Sequence, residues 1–528
     1  MDIELKNKLE KFYDETVWQH ITLGEFVSEC SSSFGNKVAL VDGNKEFTYD
    51  ELDKKSDEYA NGLLKAGFKA GDKIVLQFPN CSEFVLILFS MFKIGVIPVL
   101  TLPAHRKNEL KGIIEESKAV AYIGKDRYLG FSYVDMIRDI KDDIENEFEI
   151  YILGENQEYK NFYELIDKDY LYQIKTFDYR STGLLLLSGG TTGKPKLIPR
   201  RHCDYIYVAA EVAKRCKMGS ESVYLAALPI AHNFPLCCPG ILGTFSVGEK
   251  VVLSSVTSPD EILPLIEEEK VTITGLVPAI ANVCMEFLKE GDYDVSSLEI
   301  LQVGGSVLEP QLAKRIEREF NTKLQQIFGI AEGLIMTTDI LDSDFTRFNT
   351  QGKPISKYDE VLIVDENGKE VEIEEYGELI VRGPYTIYGY YNLSKINEKC
   401  ITNDCYFKTG DRARKMKDDN YQIVGRIKEI INRSGEKIIP KELEEILLTN
   451  DHIDSVQVVG IHDYMQGEII AVFILADDNK RLTLEDIRKF LISNNVAEFK
   501  LPDIVEYIDA WPLTALGKID RNKLKGTF

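Results

Sequence analysis

Short apolar runs alternating with amphipathic stretches set the pattern of the first three-quarters of the chain. Residues 73–78 (Lys-Ile-Val-Leu-Gln-Phe) and 119–123 (Ala-Val-Ala-Tyr-Ile) read as buried strands, and 51–66 and 109–117 carry the wider spacing of helices. Strand-like runs recur at 223–228, 250–253, 273–277 and 299–303, each leading into a turn with Gly or Pro. This alternation predicts an α/β fold, and ligands of open α/β sheets collect beyond the carboxyl ends of the strands. The longest apolar stretch, 84–102, is divided by Lys93, Gly95 and Pro98. It therefore predicts a buried helix followed by a strand, with no membrane span. After about Val361 short alternating strands with Asn367-Gly368 and Asp419-Asn420 turns predict a small β-rich subdomain. From Lys428 onward a helix (440–450), strands (455–461 and 468–476) and a second helix (484–494) predict a small α+β domain.

Composition narrows the class. A chain of 528 residues exceeds one ordinary core, and 44% hydrophobic with 28% charged residues is the composition of a packed soluble protein. The formal charge of −23 repels nucleic acid and anionic lipid, so neither is expected as a partner. Nine cysteines form no CxxC pair and no zinc spacing with the six histidines. With an N-terminus charged from Asp2 and Glu4 onward and no signal-like apolar core, the expectation is a cytoplasmic protein with reduced thiols.

Candidate chemistry begins at Ser188-Gly189-Gly190-Thr191-Thr192-Gly193-Lys194-Pro195-Lys196, which follows an apolar strand ending in Leu184 to Leu187. Glycines let successive N–H groups turn toward one anion, while hydroxyls and lysines add donors and positive charge, which suits phosphate. The kinase and ATPase P-loop does not fit: Ser188 stands where its first glycine belongs, and Pro195 where its magnesium-binding hydroxyl belongs. An ordinary turn after a buried strand is the plainer reading of the loop taken alone.

The loop resembles the [ST]-G-[ST]-T-G-x-P-K signature of the adenylate-forming superfamily, and further signatures follow in order. Phe328-Gly329-Ile330-Ala331-Glu332-Gly333 resembles its aromatic-Gly-x-x-Glu segment. Gly377-Glu378-Leu379 with Gly389-Tyr390-Tyr391, Thr409-Gly410-Asp411, Gly425-Arg426-Ile427-Lys428 and Gly517-Lys518 resemble the remainder. The resemblance spans nearly the whole chain. It implies a large N-terminal domain (1–427) of two α/β subdomains with the β-rich subdomain from about 361. A mobile C-terminal lid (428–528) would turn about a hinge near Lys428.

Residue by residue, the resemblance implies that the loop from Ser188 to Lys196 holds ATP phosphates, with Gly304, Gly305, Gln326, Phe328 and Gly329 in the nucleotide site. Glu332 would bind Mg²⁺ on the phosphates, since magnesium takes few carboxylates alongside phosphate oxygens; by itself it also reads as a solvated or capping glutamate. Asp411 would accept two ribose hydroxyls, the alternative being a turn aspartate. Arg426 would reach ribose or phosphate, or be a surface arginine. Lys518 would bridge the substrate carboxylate and α-phosphate, where a solvated lysine is the plain alternative.

The segment Ala231-His232-Asn233-Phe234-Pro235-Leu236 resembles that of stand-alone aryl acid adenylating enzymes such as 2,3-dihydroxybenzoate and salicylate:AMP ligases. It implies an aromatic carboxylic acid as substrate, with Asn233 on the carboxylate and ortho-hydroxyl, Phe234 on the ring face, and His232 gating or orienting the pocket. A turn-and-core Asn-Phe pair and a structural histidine are the plain alternatives. Cys238 stands where dihydroxybenzoate enzymes carry Ser and salicylate enzymes typically Cys; a thiol is larger and donates poorly. Ile335 replaces the smaller Val of dihydroxybenzoate enzymes, Ile327 and Met336 are bulkier or less polar than their pattern, and Ser306 replaces a frequent Ala. The resemblance implies that these three apolar residues narrow and dry the distal pocket, that Ser306 could hydrogen-bond a ring substituent and that Ala331 also borders the acid, with a salicylate-like acid lacking a 3-hydroxyl as the expected substrate.

The implied reaction forms aryl-AMP and pyrophosphate from acid and ATP, then passes the aryl group to a phosphopantetheine thiol. Since no carrier domain follows Phe528, a separate aryl carrier protein is the expected acceptor. Free coenzyme A is the alternative, and a catalytically silent nucleotide-binding homologue a more distant one.

Overall fold

The computed structural model describes residues 1–528 except 145–146, 170–176, 189–194, 434–435, 464–466, 476–480, 495, 497–499, 515–516 and 528. Its mixed α/β architecture is the one the alternation predicts. The apolar stretch at 84–102 divides as expected, into the helix Ser82–Ile94 and the strand Ile97–Thr101. Gly95 ends that helix at φ 72°, the left-handed conformation a glycine adopts without strain.

Contacts divide the chain into two compact units, residues 1–361 with 381–408, and 362–380 with 409–528. One division falls at 408–409. The physical reason is local pairing: Phe407–Lys415 and Tyr421–Arg426 form an antiparallel ladder, which keeps 409–426 together.

The first unit contains two large sheets. The nine-stranded one runs Lys353–Pro354, Leu334–Thr337, Lys323–Ile330, Ile300–Gly304, Ile273–Leu276, Val223–Ala226, Lys250–Leu253, Val38–Asp42, Lys45–Thr48. Strands from Lys323–Ile330 across to Val38–Asp42 pair in parallel. Successive strands run outward in one direction through Lys250–Leu253 and in the other through Ile273–Leu276 and Ile300–Gly304. The topological switch point thus lies beside Val223–Ala226, where ligands of such sheets bind. Behind one face, helices Pro259–Glu269, Pro278–Glu290 and Pro310–Phe320 bury Ile262, Ile266, Met285, Ile316 and Phe320 against Leu276, Leu301 and Val303. Each such side chain contributes about 1.5–3 kcal/mol on leaving water.

The seven-stranded sheet runs Leu197–Arg201, Thr182–Leu187, Ile97–Thr101, Lys73–Gln77, Ala121–Lys125, Glu149–Leu153, Lys160–Asn161. Within the second unit Val456–Asp463 and Gly467–Leu475 pair antiparallel, flanked by Ile431–Arg433, Glu436–Ile438 and Ile504–Ile508. The helices Pro440–Leu447 and Leu484–Ser493 cover that sheet through Leu443, Leu447, Ile487 and Leu491.

Candidate active site

At the switch point, parallel pairing sets Gly275 beside Gln302 and Gly304 beside Ile327, and antiparallel pairing sets Gly329 beside Ile335. Side chains alternate across a strand, so these positions share one face, opposite the buried Leu301 and Val303. Three glycines in that row leave a trench. Phe234 enters it: a Cβ on Gly275 would meet the Phe234 ring at 2.7 Å, and one on Gly329 would meet Ile335 Cδ1 at 2.7 Å. Phe234 is 8% exposed and Ile335 2%. Gly304 lies against Ile327, and Gly305, at φ 87°, turns the chain away before the exposed Ser306.

Above the trench the short helix Asn233–Cys237 is capped by His232, whose Nδ1 accepts from Phe234 N at 3.2 Å. The buried Asn233 carboxamide donates from Nδ2 to Cys238 Sγ at 3.5 Å and accepts at Oδ1 from Tyr205 Oη at 2.9 Å. Phe234, Ile327 and Ile335 thus share the trench face with the buried carboxamides of Gln302 and Gln325, while Asn233 and Cys238 meet beside Phe234 at the ends of its short helix.

The predicted phosphate loop spans a β-hairpin. Thr182–Leu187 pairs antiparallel with Leu197–Arg201, and its neck is closed by Ser188 N donating to Lys196 O and Lys196 N donating to Ser188 Oγ, each at 3.0 Å. A strand follows the loop where a P-loop would open a helix. Gly189, Gly190, Thr191, Thr192, Gly193 and Lys194 lie outside the described residues. The Lys196 ammonium sits 4.5 Å from the Tyr390 ring centroid, and Tyr390 Oη donates to Glu332 Oε1 at 2.7 Å. Glu332 is fixed further by Ile387 N donating to its carbonyl at 2.8 Å, and Arg200 Nη1 donates to the preceding Ala331 carbonyl at 2.9 Å. Among the described residues no cluster of three metal-ligating side chains occurs. One half-exposed carboxylate in a turn still suits a magnesium ion coordinated chiefly by phosphate and water.

The second unit gathers Asp411, Arg426 and Lys518. Asp411 faces Arg426 across the ladder and accepts from its Nε at 3.0 Å, while Arg426 Nη1 donates to Thr409 O at 2.9 Å. Gly410, at φ 72°, makes the turn that lets Asp411 N donate to Thr409 Oγ1 at 3.0 Å. At Lys518 the backbone is held by Thr514 N donating to Lys518 O at 2.7 Å, and Gly517 adopts φ 74°. Burial and, next, the Arg426 charge push the Lys518 ammonium down to about 8, with Asp411 opposing. Lysine of this kind is poised between charged and neutral near physiological pH.

Residues 27–391 match the AMP-binding enzyme family, and residues 442–518 match the AMP-binding enzyme C-terminal domain. The chain belongs to the AMP-binding enzyme family. Its relatives include 2,3-dihydroxybenzoate-AMP ligase of Bacillus subtilis (strain 168), 39% identical over 98% of this chain and 95% of that one. Another is salicyl-AMP ligase / salicyl-S-ArCP synthetase of Mycobacterium tuberculosis (strain ATCC 25618 / H37Rv), 37% identical over 96% and 91%. The apo structure of Mycobacterium smegmatis MbtA aligns with a TM-score of 0.76 at 35% identity, over 99% of this chain and 98% of that one. The protein is an adenylate-forming ligase, as its signatures imply.

The Gln326 side chain lies on the opposite face from Ile327, is 2% exposed, and is engaged with Arg347 O and Gln351 Nε2, each at 3.0 Å. Strand alternation, read from 326 to 327, carries that signal. Phe328, half-buried, shares the face of Gln326. Sequence reasoning missed Tyr205 and Arg200 and assigned Tyr390 no role. The segment Gly389-Tyr390-Tyr391 was recognisable as a motif, but no local pattern links Tyr205 to Asn233, 28 positions away.

Proposed function

We propose that this protein activates a salicylate-like aromatic acid lacking a 3-hydroxyl and transfers it to the phosphopantetheine thiol of a separate aryl carrier protein. The observation that carries the reading is the buried Asn233–Cys238 contact at the short helix that sends Phe234 into the glycine trench: a carboxamide for a carboxylate and ortho-hydroxyl, with a thiol beside it. Relatives named for 2,3-dihydroxybenzoate and salicylate support the aryl acid class. A thiol in place of a hydroxyl removes a good hydrogen-bond partner where a 3-hydroxyl would need one, which disfavours the catechol acid.

In the first step a carboxylate oxygen attacks the ATP α-phosphorus, the bond to the β-phosphate oxygen breaks, and pyrophosphate leaves. The loop from Ser188 to Lys196 holds the departing phosphates, and Glu332, steadied by Tyr390, would hold a magnesium ion beside them. Magnesium supplies charge neutralisation on those phosphates. Asp411 and Arg426 bind the ribose side, and the Lys518 ammonium stabilises negative charge between carboxylate and α-phosphate. In the second step the sulfur attacks the acyl carbon, AMP leaves with the bonding electrons, and the thiol proton goes to solvent. Turning of residues 428–528 about Lys428 withdraws Lys518 before the thiol enters. Gly304, Gly305, Phe328 and Gly329 line the nucleotide side, and Ser306 and Ala331 border the acid.

The test is thioester formation from salicylate and ATP, offered a phosphopantetheinylated aryl carrier protein or free coenzyme A. Rapid transfer to the carrier protein is expected. Transfer only to coenzyme A would reassign the acceptor.

A further inference from the structure

Behind Asn233 lies a buried chain of groups that no step above uses. Arg200 is 1% exposed and donates through Nε and Nη2 to Asp204 Oδ1 at 3.1 and 3.0 Å, and through Nη1 to Ala331 O at 2.9 Å. Its guanidinium carbon lies 5.0 Å from the centroid of the Tyr205 ring, also fully buried, and the Tyr205 phenol donates to Asn233 Oδ1 at 2.9 Å. One ion pair thus anchors both the Ala331–Glu332 turn and the ring whose hydroxyl reaches the carboxamide.

We propose that Tyr205 is a positioning residue for substrate selection, fixing the orientation of the Asn233 carboxamide so that its NH₂, not its oxygen, serves the acid pocket. This rests on the aryl acid reading above. An amide has one acceptor end and one donor end. With Oδ1 occupied by a phenol that burial keeps protonated, Nδ2 faces Cys238. A weakly bonding thiol yields readily to a better acceptor. The ortho-hydroxyl oxygen, whose own proton is engaged by the carboxylate beside it, is such an acceptor, whereas a reversed amide would set its oxygen against that oxygen. Tyr205 therefore decides the sign of the hydrogen bond that Asn233 offers, without touching substrate.

The experiment compares kcat/KM for salicylate and benzoate, by ATP–pyrophosphate exchange, in the wild type, Tyr205→Phe, Asn233→Ala and the double variant. Benzoate lacks the ortho-hydroxyl, so the ratio isolates the oriented bond and cancels any loss of folded enzyme. Removing the phenol is expected to lower the salicylate-to-benzoate ratio roughly 5- to 10-fold, mainly through the salicylate KM, the size of one neutral hydrogen bond. In the Asn233→Ala background the same change should leave the ratio within about twofold. Tyr205→Met, which also lacks the hydroxyl, provides the same reading should Tyr205→Phe not accumulate. An unchanged ratio with both rates lowered equally would mean a merely structural Tyr205 and overturn the proposal. Wild-type enzyme activating neither acid would instead overturn the salicylate-like reading of the substrate, and this inference with it.

Discussion

Raising pH should silence adenylation at a value set by the surroundings of Lys518. Ordinary lysine keeps its charge to about 10.5, but this one is held at about 8 by burial and by Arg426, against the opposing charge of Asp411. With that value roughly nine-tenths of the enzyme carries the ammonium at pH 7 and roughly one-tenth at pH 9. The sign follows from the protonated form being the active one: activity is full below 8 and lost as pH rises through it. Between pH 7 and pH 9, kcat/KM for ATP–pyrophosphate exchange should fall about tenfold, because this parameter reports the free enzyme. The kcat profile should hold to higher pH, since bound phosphate and carboxylate favour the charged lysine. Asp411→Asn should move the kcat/KM fall to lower pH by removing the charge that supports the ammonium. A kcat/KM profile flat to pH 10 would refute the reasoning, either in the role of Lys518 or in the cluster that shifts it.

Three substitutions test other parts of the account. Cys238→Ser should move the kcat/KM preference toward 2,3-dihydroxybenzoate over salicylate by about tenfold, as one hydroxyl pairing is gained; an unchanged ratio removes Cys238 from the specificity argument. Gly275→Ala sets a Cβ 2.7 Å from the Phe234 ring, so the ring must shift, costing about 1–3 kcal/mol of stability. A raised KM for the aromatic acid with KM for ATP little changed is expected, and equal change in both would place Phe234 outside the acid pocket. Arg200→Met leaves Asp204 buried with Arg201 as remaining partner through Oδ2 at 3.1 Å, and should destabilise the protein by about 3 kcal/mol in chemical denaturation. A loss below about 1 kcal/mol would show that Arg201 suffices.

Much of this was legible because the fold's signals are local. The divided apolar stretch at 84–102 and the apolar strand at 184–187 each state their structure within a few residues. Asp411, Arg426 and Lys518 were recognisable as separate motifs, and the second unit brings them together through one ladder and one turn. Other features needed pairing information that no single segment contains. The glycine trench depends on the register of four strands, Gln326 on which face it occupies, and Tyr205 on a helix packing beside a turn 28 positions later. The division at 408–409 likewise follows from ladder contacts, which decide what packs with what.

The central claim is that a buried carboxamide beside a thiol selects a monohydroxylated aromatic acid for adenylation. ATP–pyrophosphate exchange across salicylate, benzoate, 4-hydroxybenzoate and 2,3-dihydroxybenzoate tests it most directly. Exchange fastest with salicylate, weaker with 2,3-dihydroxybenzoate and benzoate, and least with 4-hydroxybenzoate is the predicted result. Preference for 2,3-dihydroxybenzoate would contradict the role given to Cys238, and no exchange with any of the four would contradict the aryl acid function itself.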